Sequence, residues 1–194
     1  MTSGTAFISP AVRRWLLLIV LVALVLLIDQ LSKTWIVENI PPGDMRQPVP
    51  ALADYFQITH SANMGAAFGL FPQAGDLIRV IALVVTAGLV FFYPRLPADA
   101  ILSRIAIGLI VGGALGNVID RVRYGHVVDF INYRIPGVIS NVSNLADHAI
   151  LLGVMIILLE GLVFNRPQET GTATAESPQQ SGDESSEQEP ETLV

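Results

Sequence analysis

The sequence predicts an all-α membrane protein with four transmembrane helices and a small extracytoplasmic β-sheet and loop region. Of the 194 residues, 52% are hydrophobic and only 14% are charged, whereas an average soluble domain carries about 25% charged residues. Four apolar stretches of about 17–23 residues reach the length that crosses ~30 Å of hydrocarbon at 1.5 Å per residue. The chain has no cysteine, which excludes a disulfide scaffold, a thiol nucleophile and a zinc site built on cysteine.

The four apolar stretches are residues 15–28 with an extension to 37, residues 77–93, residues 101–119 and residues 146–164. Their uncharged centres are only about 11 to 15 residues long, so we expect the flanking polar groups at or near the membrane interfaces. Arg13 and Arg14 precede the first stretch, just as basic residues precede the apolar core of a cleaved signal peptide. No small-x-small cleavage pattern follows its apolar core, which favours a retained first helix.

The orientation of the chain depends on its basic residues. Four crossings place both termini and the short loop 94–103 on one side, and the long loops 38–76 and 120–145 on the other. The two sides hold five and six basic residues, so a plain count by the positive-inside rule is a tie. Arg13 and Arg14 adjoin the first span, and no acid precedes Asp29 in the chain. We therefore expect both termini in the cytoplasm.

The net charge of −6 comes from the C-terminal segment, which holds seven acids and no Lys or Arg beyond Arg166. The rest of the chain has 11 basic and 10 acidic residues, so no basic face is available to bind nucleic acid. The C-terminal segment has almost nothing to bury, and we expect it to be disordered. The predicted organisation is a cytoplasmic segment 1–12, a four-helix membrane domain 13–166 and a disordered acidic tail 167–194.

The two long loops carry patterns of regular structure. Residues 55–59 and 126–131 are β-branched and aromatic, which is typical of short strands. Residues 63–69 contain glycines suited to a turn or a close approach. We therefore expect a small sheet on the outer membrane surface.

Nearly all polar side chains that need an explanation fall at one membrane face. By the parity of the spans, this face collects Asp29, Asn63, Asn117, Asp120, Arg121, Asp129, Asn144 and Asp147. The opposite face carries arginines and Glu160. Ionisable groups at membrane depth are costly, so they are functional-site hypotheses by default.

Two of these carboxylates, Asp129 and Asp147, lie 18 residues apart across a loop that can fold back on itself. If they meet within about 3–5 Å, one keeps a proton while the other stays charged. The charged carboxylate then takes a proton from water, and the neutral one donates to a carbonyl oxygen, as in an aspartic hydrolase. Asp29 and Asp120 compete for either role.

Each of these residues also has a purely structural reading. Asp129 fits a solvated loop carboxylate, Asp147 a helix N-terminal acid favoured by the macrodipole, and Asn144 an N-cap. Asp120 and Arg121 fit an interfacial ion pair, Asp29 a cap, and Asn63 a turn. Gly112, Gly113 and Gly116 let membrane helices approach closely. His126 and His148 are weak evidence for a metal site, since they lie on different elements.

Five blocks of polar and small residues follow one another along the chain. They are Asp29-Gln-Leu-Ser-Lys33, Asn63-Met-Gly-Ala-Ala-Phe-Gly69, Gly112-Gly-Ala-Leu-Gly-Asn117-Val-Ile-Asp120-Arg121, Val127-Val-Asp129-Phe-Ile131 and Asn144-Leu-Ala-Asp147. In order and spacing these blocks resemble those of the lipoprotein signal peptidases (signal peptidase II). The resemblance spans about residues 15–164, and the third block is the most specific.

The resemblance implies a bacterial inner-membrane aspartic endopeptidase that cleaves prolipoprotein signal peptides just before the S-diacylglyceryl cysteine. Its catalytic pair maps onto Asp129 and Asp147, and it implies neither a metal nor an organic cofactor. The further polar site residues map onto Asp29, Asn63, Asn117, Arg121 and Asn144, with Asp120 beside them. We expect a monomer whose partners are prolipoprotein substrates and membrane lipid.

One position departs from the family pattern, which usually has Phe-Asn-x-Ala-Asp in the last block. This chain has Ser143 in place of the aromatic residue. We expect a change in packing behind Asp147 and an intact aspartate pair.

Two other classes of function remain open at this stage. A proton-coupled transporter also uses membrane carboxylates, but they should lie near the midplane on several helices. A non-catalytic scaffold would not need Asp129 and Asp147, so their isosteric replacement would be silent.

Overall fold

A computed structural model describes residues 9–65 and 74–164 of the chain. The predicted disordered tail 167–194, most of the segment 1–12 and the glycine-containing turn from residue 66 onward lie outside these residues.

The first helix, α1, spans Pro10–Asn39. Its N-terminus is defined locally, because the Ser9 side chain accepts a hydrogen bond from the Val12 amide at 3.3 Å and Pro10 occupies the first turn. At 1.5 Å per residue a helix of this length is about 45 Å long, which exceeds the ~30 Å of a hydrocarbon core. The helix is therefore longer than one crossing of the apolar layer requires.

Three further helices follow: α2 at Ala74–Phe92, α3 at Ile101–Tyr124 and α4 at Leu145–Phe164. The four predicted helices are present. However, the prediction that a loop begins at Asp120 is wrong, because α3 continues to Tyr124 and ends at Gly125 in a left-handed conformation with φ 77°. Three of the helices, α1, α3 and α4, are long and apolar enough to cross a membrane, while the apolar part of α2 is shorter.

Helix α3 packs between α1 and α4, and its glycines make this packing possible. A methyl group at Gly112 would lie 2.7 Å from Val25 Cβ on α1, and one at Gly113 would overlap the Ala146 carbonyl oxygen on α4. The helix backbones therefore approach too closely for any side chain at these positions, as the sequence predicted for Gly112 and Gly113.

The loops form one four-stranded antiparallel sheet in the order β1-β2-β3-β4. The strands are Met45–Arg46, Phe56–Asn63, Val127–Ile135 and Ile139–Ser143. The predicted strands at 55–59 and 126–131 are confirmed, although β2 runs further than expected and includes Asn63 as its last residue.

The sheet is held to one end of the helices by an apolar cluster. Ile36 and Ile40 at the end of α1 pack with Val128, Phe130 and Ile131 of β3. This contact brings β3 to the place where α1 and α3 end and α4 begins.

Candidate active site

Asp129 lies on β3, where the sheet meets the helices, and it is 2% exposed. Both of its carboxylate oxygens accept hydrogen bonds from amide side chains. Asn63 Nδ2, at the end of β2, donates to Oδ2 at 2.8 Å. Asn144 Nδ2, just before α4, donates to Oδ1 at 2.6 Å. The carboxylate is therefore held in one orientation from two sides.

Asp147 lies in the first turn of α4 and is half-buried. Asn144 caps this helix, since its Oδ1 accepts from the Asp147 amide at 2.9 Å. The Asp147 side chain has its own donor, because Asn117 Nδ2 on α3 lies 2.7 Å from its Oδ1. The structural role at the helix N-terminus and a role in a carboxylate pair are thus compatible at Asp147.

Two asparagines join the carboxylates into one network. Asn144 Nδ2, which binds Asp129, also lies 3.2 Å from Asn117 Oδ1, and Asn117 Nδ2 binds Asp147. A path of hydrogen bonds therefore runs from Asp129 through both amides to Asp147. The structure brings together the pair that the sequence singled out.

The surroundings of Asp129 favour its protonated form. Burial raises the pKa of Asp129 from its ordinary value of 3.8 to about 6, and the charge of Asp147 acts in the same direction. The hydrogen bonds from Asn63 and Asn144 oppose this rise because they favour the ionised form. Near pH 6 the pair can therefore hold one proton and one negative charge.

A second cluster lies beneath the pair and contains the other two candidate carboxylates. Lys33 on α1 is 1% exposed, and its Nζ lies 2.8 Å from both Asp29 Oδ2 and Asp120 Oδ2. The same nitrogen donates to Asn117 Oδ1 at 3.1 Å. Because this contact fixes the Asn117 oxygen towards Lys33, the Asn117 NH2 group faces Asp147.

The two carboxylates on Lys33 also hold the backbone around the site. Asp29 Oδ1 accepts from the Ala146 amide at 3.0 Å, and Asp120 Oδ2 accepts from the Val128 amide at 3.1 Å. These bonds tie α1 to the start of α4 and α3 to β3. Asp29 and Asp120 thus compete less well for the catalytic roles, since both are engaged in positioning.

Arg121 lies on α3 one residue after Asp120, and its Nη1 donates to the Asn117 carbonyl oxygen at 3.2 Å. It is half-buried at the edge of the site. All eight predicted site residues are therefore found at one end of the helices.

Lys33 is a site residue that was not predicted, although it ends the first of the five sequence blocks. The available signal was a cation four residues after Asp29 in an apolar helix, where such a spacing places the two side chains together. Gln30 was missed as well, and its Nε2 donates to Asp29 at 3.1 Å and to Asp120 at 2.9 Å.

A cavity of about 250 Å³ opens beside Asp147. Its wall includes Tyr133, Ser143 and His148, and the Tyr133 hydroxyl lies 3.3 Å from His148 Nε2. The Ser143 hydroxyl is buried with no hydrogen-bond partner among the described residues. No group of three or more potential metal ligands occurs within residues 9–65 and 74–164.

The fold and the site together define a class of protein. Apolar helices carry, at one end, two carboxylates that share a hydrogen-bonded network in a poorly solvated place. This is the arrangement of a membrane enzyme with an acid–base hydrolytic site.

Comparison with known proteins places the chain within this class. Residues 21–163 match the family model described as signal peptidase (SPase) II. The lipoprotein signal peptidase of Moorella thermoacetica is 42% identical over 139 residues, which are 72% of this chain and 88% of that protein. That of Desulfitobacterium hafniense is 36% identical over 153 residues, or 79% of this chain and 97% of that protein.

A bacterial membrane enzyme whose structure was solved by the in meso method at 2.3 Å resolution is 31% identical to this chain and has a TM-score of 0.67. The match covers 78% of this chain and 93% of that chain. The chain belongs to the signal peptidase II family. It is therefore a peptidase of the aspartic type that removes signal peptides.

Proposed function

We propose that this chain cleaves prolipoproteins just before the S-diacylglyceryl cysteine, with Asp129 and Asp147 as the catalytic pair and water as the nucleophile. The relatives named lipoprotein signal peptidase support the substrate class. The observation that carries the residue assignment is the amide network, since Asn144 and Asn117 connect one carboxylate to the other.

The two aspartates have different protonation states at the start of the reaction. Asp129 holds the proton, because its burial raises its pKa to about 6. Asp147 is the proposed base, since it lies in the first turn of α4 and accepts a hydrogen bond from the Asn117 amide. When the pair holds one proton, that proton belongs to the pair as a whole, and Asp129 is its favoured position.

Hydrolysis then follows in two steps. Asp147 takes a proton from water, the water oxygen attacks the scissile carbonyl carbon, and Asp129 donates its proton to the carbonyl oxygen. In the second step Asp147 donates its proton to the amide nitrogen as the C–N bond breaks. Asp129 regains a proton from one hydroxyl of the tetrahedral intermediate, which becomes the new carboxyl group. Both aspartates return to their starting forms.

The other polar residues position this pair or the substrate. Asn63 and Asn144 orient Asp129, and Asn117 orients Asp147. Asp29 and Asp120 hold Lys33, which in turn holds Asn117. Arg121 lies at the edge of the site, where its guanidinium can bind a backbone carbonyl of the substrate.

The membrane setting explains why a hydrolytic site lies at the end of apolar helices. In the proposed topology α2 crosses the membrane together with α1, α3 and α4, which makes four spans. Both termini are cytoplasmic, and the sheet and the site lie at the extracytoplasmic face of the bacterial inner membrane. The signal helix and the acyl chains of the substrate stay in the bilayer, so the scissile bond reaches the site by lateral diffusion. In this proposal the acyl chains lie against the apolar surfaces of α2, α3 and α4.

The proposed organisation keeps residues 13–166 as the membrane peptidase domain of a monomer. The segment 1–12 and the acidic tail 167–194 lie outside this domain on the cytoplasmic side. No metal or organic cofactor enters the mechanism, because the two carboxylates supply both the acid and the base.

The test is cleavage of a lipidated prolipoprotein in proteoliposomes by Asp129→Asn and Asp147→Asn. Asn keeps the size of the side chain but cannot serve as an acid or a base, so each variant should lose about 10³-fold or more in rate. The matched control is Asp54→Asn, an exposed acid just before β2, which should cleave at the wild-type rate.

Thermal unfolding in detergent shows whether each variant is folded. Near-wild-type cleavage by either aspartate variant would overturn the catalytic assignment. Failure of the wild type itself to cleave the lipidated prolipoprotein would overturn the proposed substrate.

A further inference from the structure

A second cavity, of about 640 Å³, lies at the end of the helices opposite to the aspartate pair. Arg13 and Arg14 of the first turns of α1 line it together with Arg104 of the first turn of α3. Arg104 precedes Asn117 by 13 residues on the same helix, a separation of about 20 Å along the axis. The cavity is therefore distinct from the active site.

Arg104 is 2% exposed, and no carboxylate of the described residues forms an ion pair with it. Its Nη2 donates to the carbonyl oxygens of Leu96 and Pro97, each at 2.9 Å, and its guanidinium lies 5.2 Å from the Tyr93 ring centroid. Its Nε and Nη1 have no hydrogen-bond partner among the described residues. A buried cation without a counterion is costly, and an anion in the adjoining cavity would lower this cost.

The other two arginines of the cavity have no ion-pair partner among the side chains that the structure describes, which leave out those of residues 1–8, 66–76, 78, 79 and 164–194. The ion pairs closer than 4.0 Å among these side chains both belong to Lys33. Arg14 is half-buried and Arg13 is exposed, so both guanidinium groups are available at the cavity. Three positive charges thus face one cavity, with no described carboxylate within 4.0 Å of them.

The chemistry of this cavity selects an anion with several oxygen acceptors. Guanidinium groups bind phosphate in a bidentate manner and are weakly hydrated, so they are suited to partly buried phosphate sites. The volume is within the range of about 300–1,000 Å³ that is usual for small-molecule sites. A phosphodiester presents two anionic oxygens and two ester oxygens around one tetrahedral centre, so a single group can contact more than one of the three guanidinium groups.

The remaining wall points to a lipid as the source of the phosphate. Leu17 and Ile101 line the cavity beside the arginines, and they belong to helices long and apolar enough to cross a membrane. A cavity with a cationic part and an apolar part at the end of such helices matches a phosphodiester and the first carbons of its acyl chains.

We propose that the Arg13–Arg14–Arg104 cavity binds the phosphate group of an anionic phospholipid. The site is independent of the catalytic proposal, because no residue of the cavity belongs to the aspartate network. Free phosphate shares the same chemistry, and the experiment separates the two sources.

The experiment measures thermal unfolding of the full chain in a neutral detergent during titration with phosphatidylglycerol, phosphatidylcholine or inorganic phosphate. A ligand that binds only the folded protein raises its unfolding temperature in proportion to its saturation. Phosphatidylglycerol should stabilise the wild type, and the other two should have little effect. Arg13→Gln/Arg14→Gln should weaken the apparent affinity for phosphatidylglycerol about tenfold or more.

The matched control is Arg46→Gln/Arg134→Gln, which removes the same charge from exposed positions of the sheet at the opposite end. It should respond to phosphatidylglycerol like the wild type. An equal loss of response in both double variants would overturn the site, because it would indicate a general effect of net charge. Equal stabilisation by inorganic phosphate would overturn the lipid as its occupant.

A third variant, Arg104→Met, keeps the apolar stem and removes the buried charge. It should lose the phosphatidylglycerol response as well. If it fails to fold, the variant of the two more accessible arginines still decides the question. A response that appears only after the seven acids of the C-terminal segment are neutralised would overturn the proposal for the native chain, since that segment would then occupy the cavity.

Discussion

The two ends of the helical bundle each bury a cation, but they satisfy it in opposite ways. Lys33 contacts two carboxylates and an amide oxygen within 3.1 Å. Arg104 contacts two backbone carbonyls and an aromatic ring, and it has no carboxylate within 4.0 Å among the described residues. The first end is complete within the protein, whereas the second needs an anion from outside.

This difference shows what each end is built for. A catalytic pair must be held within a fraction of an ångström, and the closed network around Lys33 provides that by leaving Asn117 one orientation. A binding site for an anion must keep part of its charge unpaired until the ligand arrives. The partners of each cation therefore distinguish Lys33, which positions other side chains, from Arg104, which binds an anion.

The largest expected effect is the contrast between Lys33→Met and Arg104→Met. Removing Lys33 leaves two buried carboxylates without a cation, which typically costs about 3–5 kcal/mol of folding free energy. Removing Arg104 takes away a buried charge that has no counterion. The loss of folding free energy in Arg104→Met should therefore be well below the loss in Lys33→Met. Thermal unfolding in neutral detergent without anionic lipid measures both.

A rescue variant sharpens this test. Lys33→Met/Asp29→Asn/Asp120→Asn removes the cation and both of its carboxylates, and it should recover part of the lost stability. Equal losses in Lys33→Met and Arg104→Met, with no recovery in the triple variant, would remove the distinction between the two ends.

The next effect is the pH dependence of stability caused by Asp129. Its pKa is about 6 in the folded protein and 3.8 as an ordinary value, so the folded state binds more protons between these limits. The free energy of unfolding should therefore fall as the pH rises from about 4 to about 6, by roughly 2–3 kcal/mol.

Asp129→Asn lacks this ionisation. Its unfolding temperature minus that of the wild type should increase between pH 4 and pH 7.5. Asp54→Asn and Arg104→Met should instead follow the wild-type pH profile. A constant difference between Asp129→Asn and the wild type would show that Asp129 titrates in the folded protein as it does in water.

The smallest expected effect concerns the packing that supports the active end. A methyl group at Gly113 would overlap the Ala146 carbonyl oxygen next to Asp147, so Gly113→Ala must move α4 and should cost about 1–3 kcal/mol. Cleavage should fall with it, because Asp147 moves too. Gly88→Ala on α2 is the matched control, since a methyl group there meets nothing within 4 Å. Unchanged cleavage by Gly113→Ala would show that this contact does not position Asp147.

Most of the architecture was readable from the sequence, because apolar length and strand composition are local properties. The four helices and the strands around residues 56 and 127 lie close to their predicted positions. The exception is the end of α3, which continues to Tyr124 although its uncharged stretch ends at Ile119, and which stops at Gly125 in a left-handed conformation.

The site residues show the same division. Asp29 and Asp120 competed with Asp129 and Asp147 when the residues were taken alone, and only the family resemblance selected Asp129 and Asp147 as the pair. Asp29 lies four residues before Lys33 on α1, so that contact is local. Whether Asp120 of α3 also reaches Lys33 depends on a distance between two helices, which no local pattern records.

By itself the sequence determined the membrane class, the helices, the strands and the collection of polar residues at one end, since these follow from hydropathy and from the parity of the spans. Only the tertiary structure decided which carboxylates share an amide network, which are held by a cation, and which arginines at the far end remain without one. These outcomes depend on distances between separate helices, and electrostatic and hydrogen-bond energies change steeply over such distances.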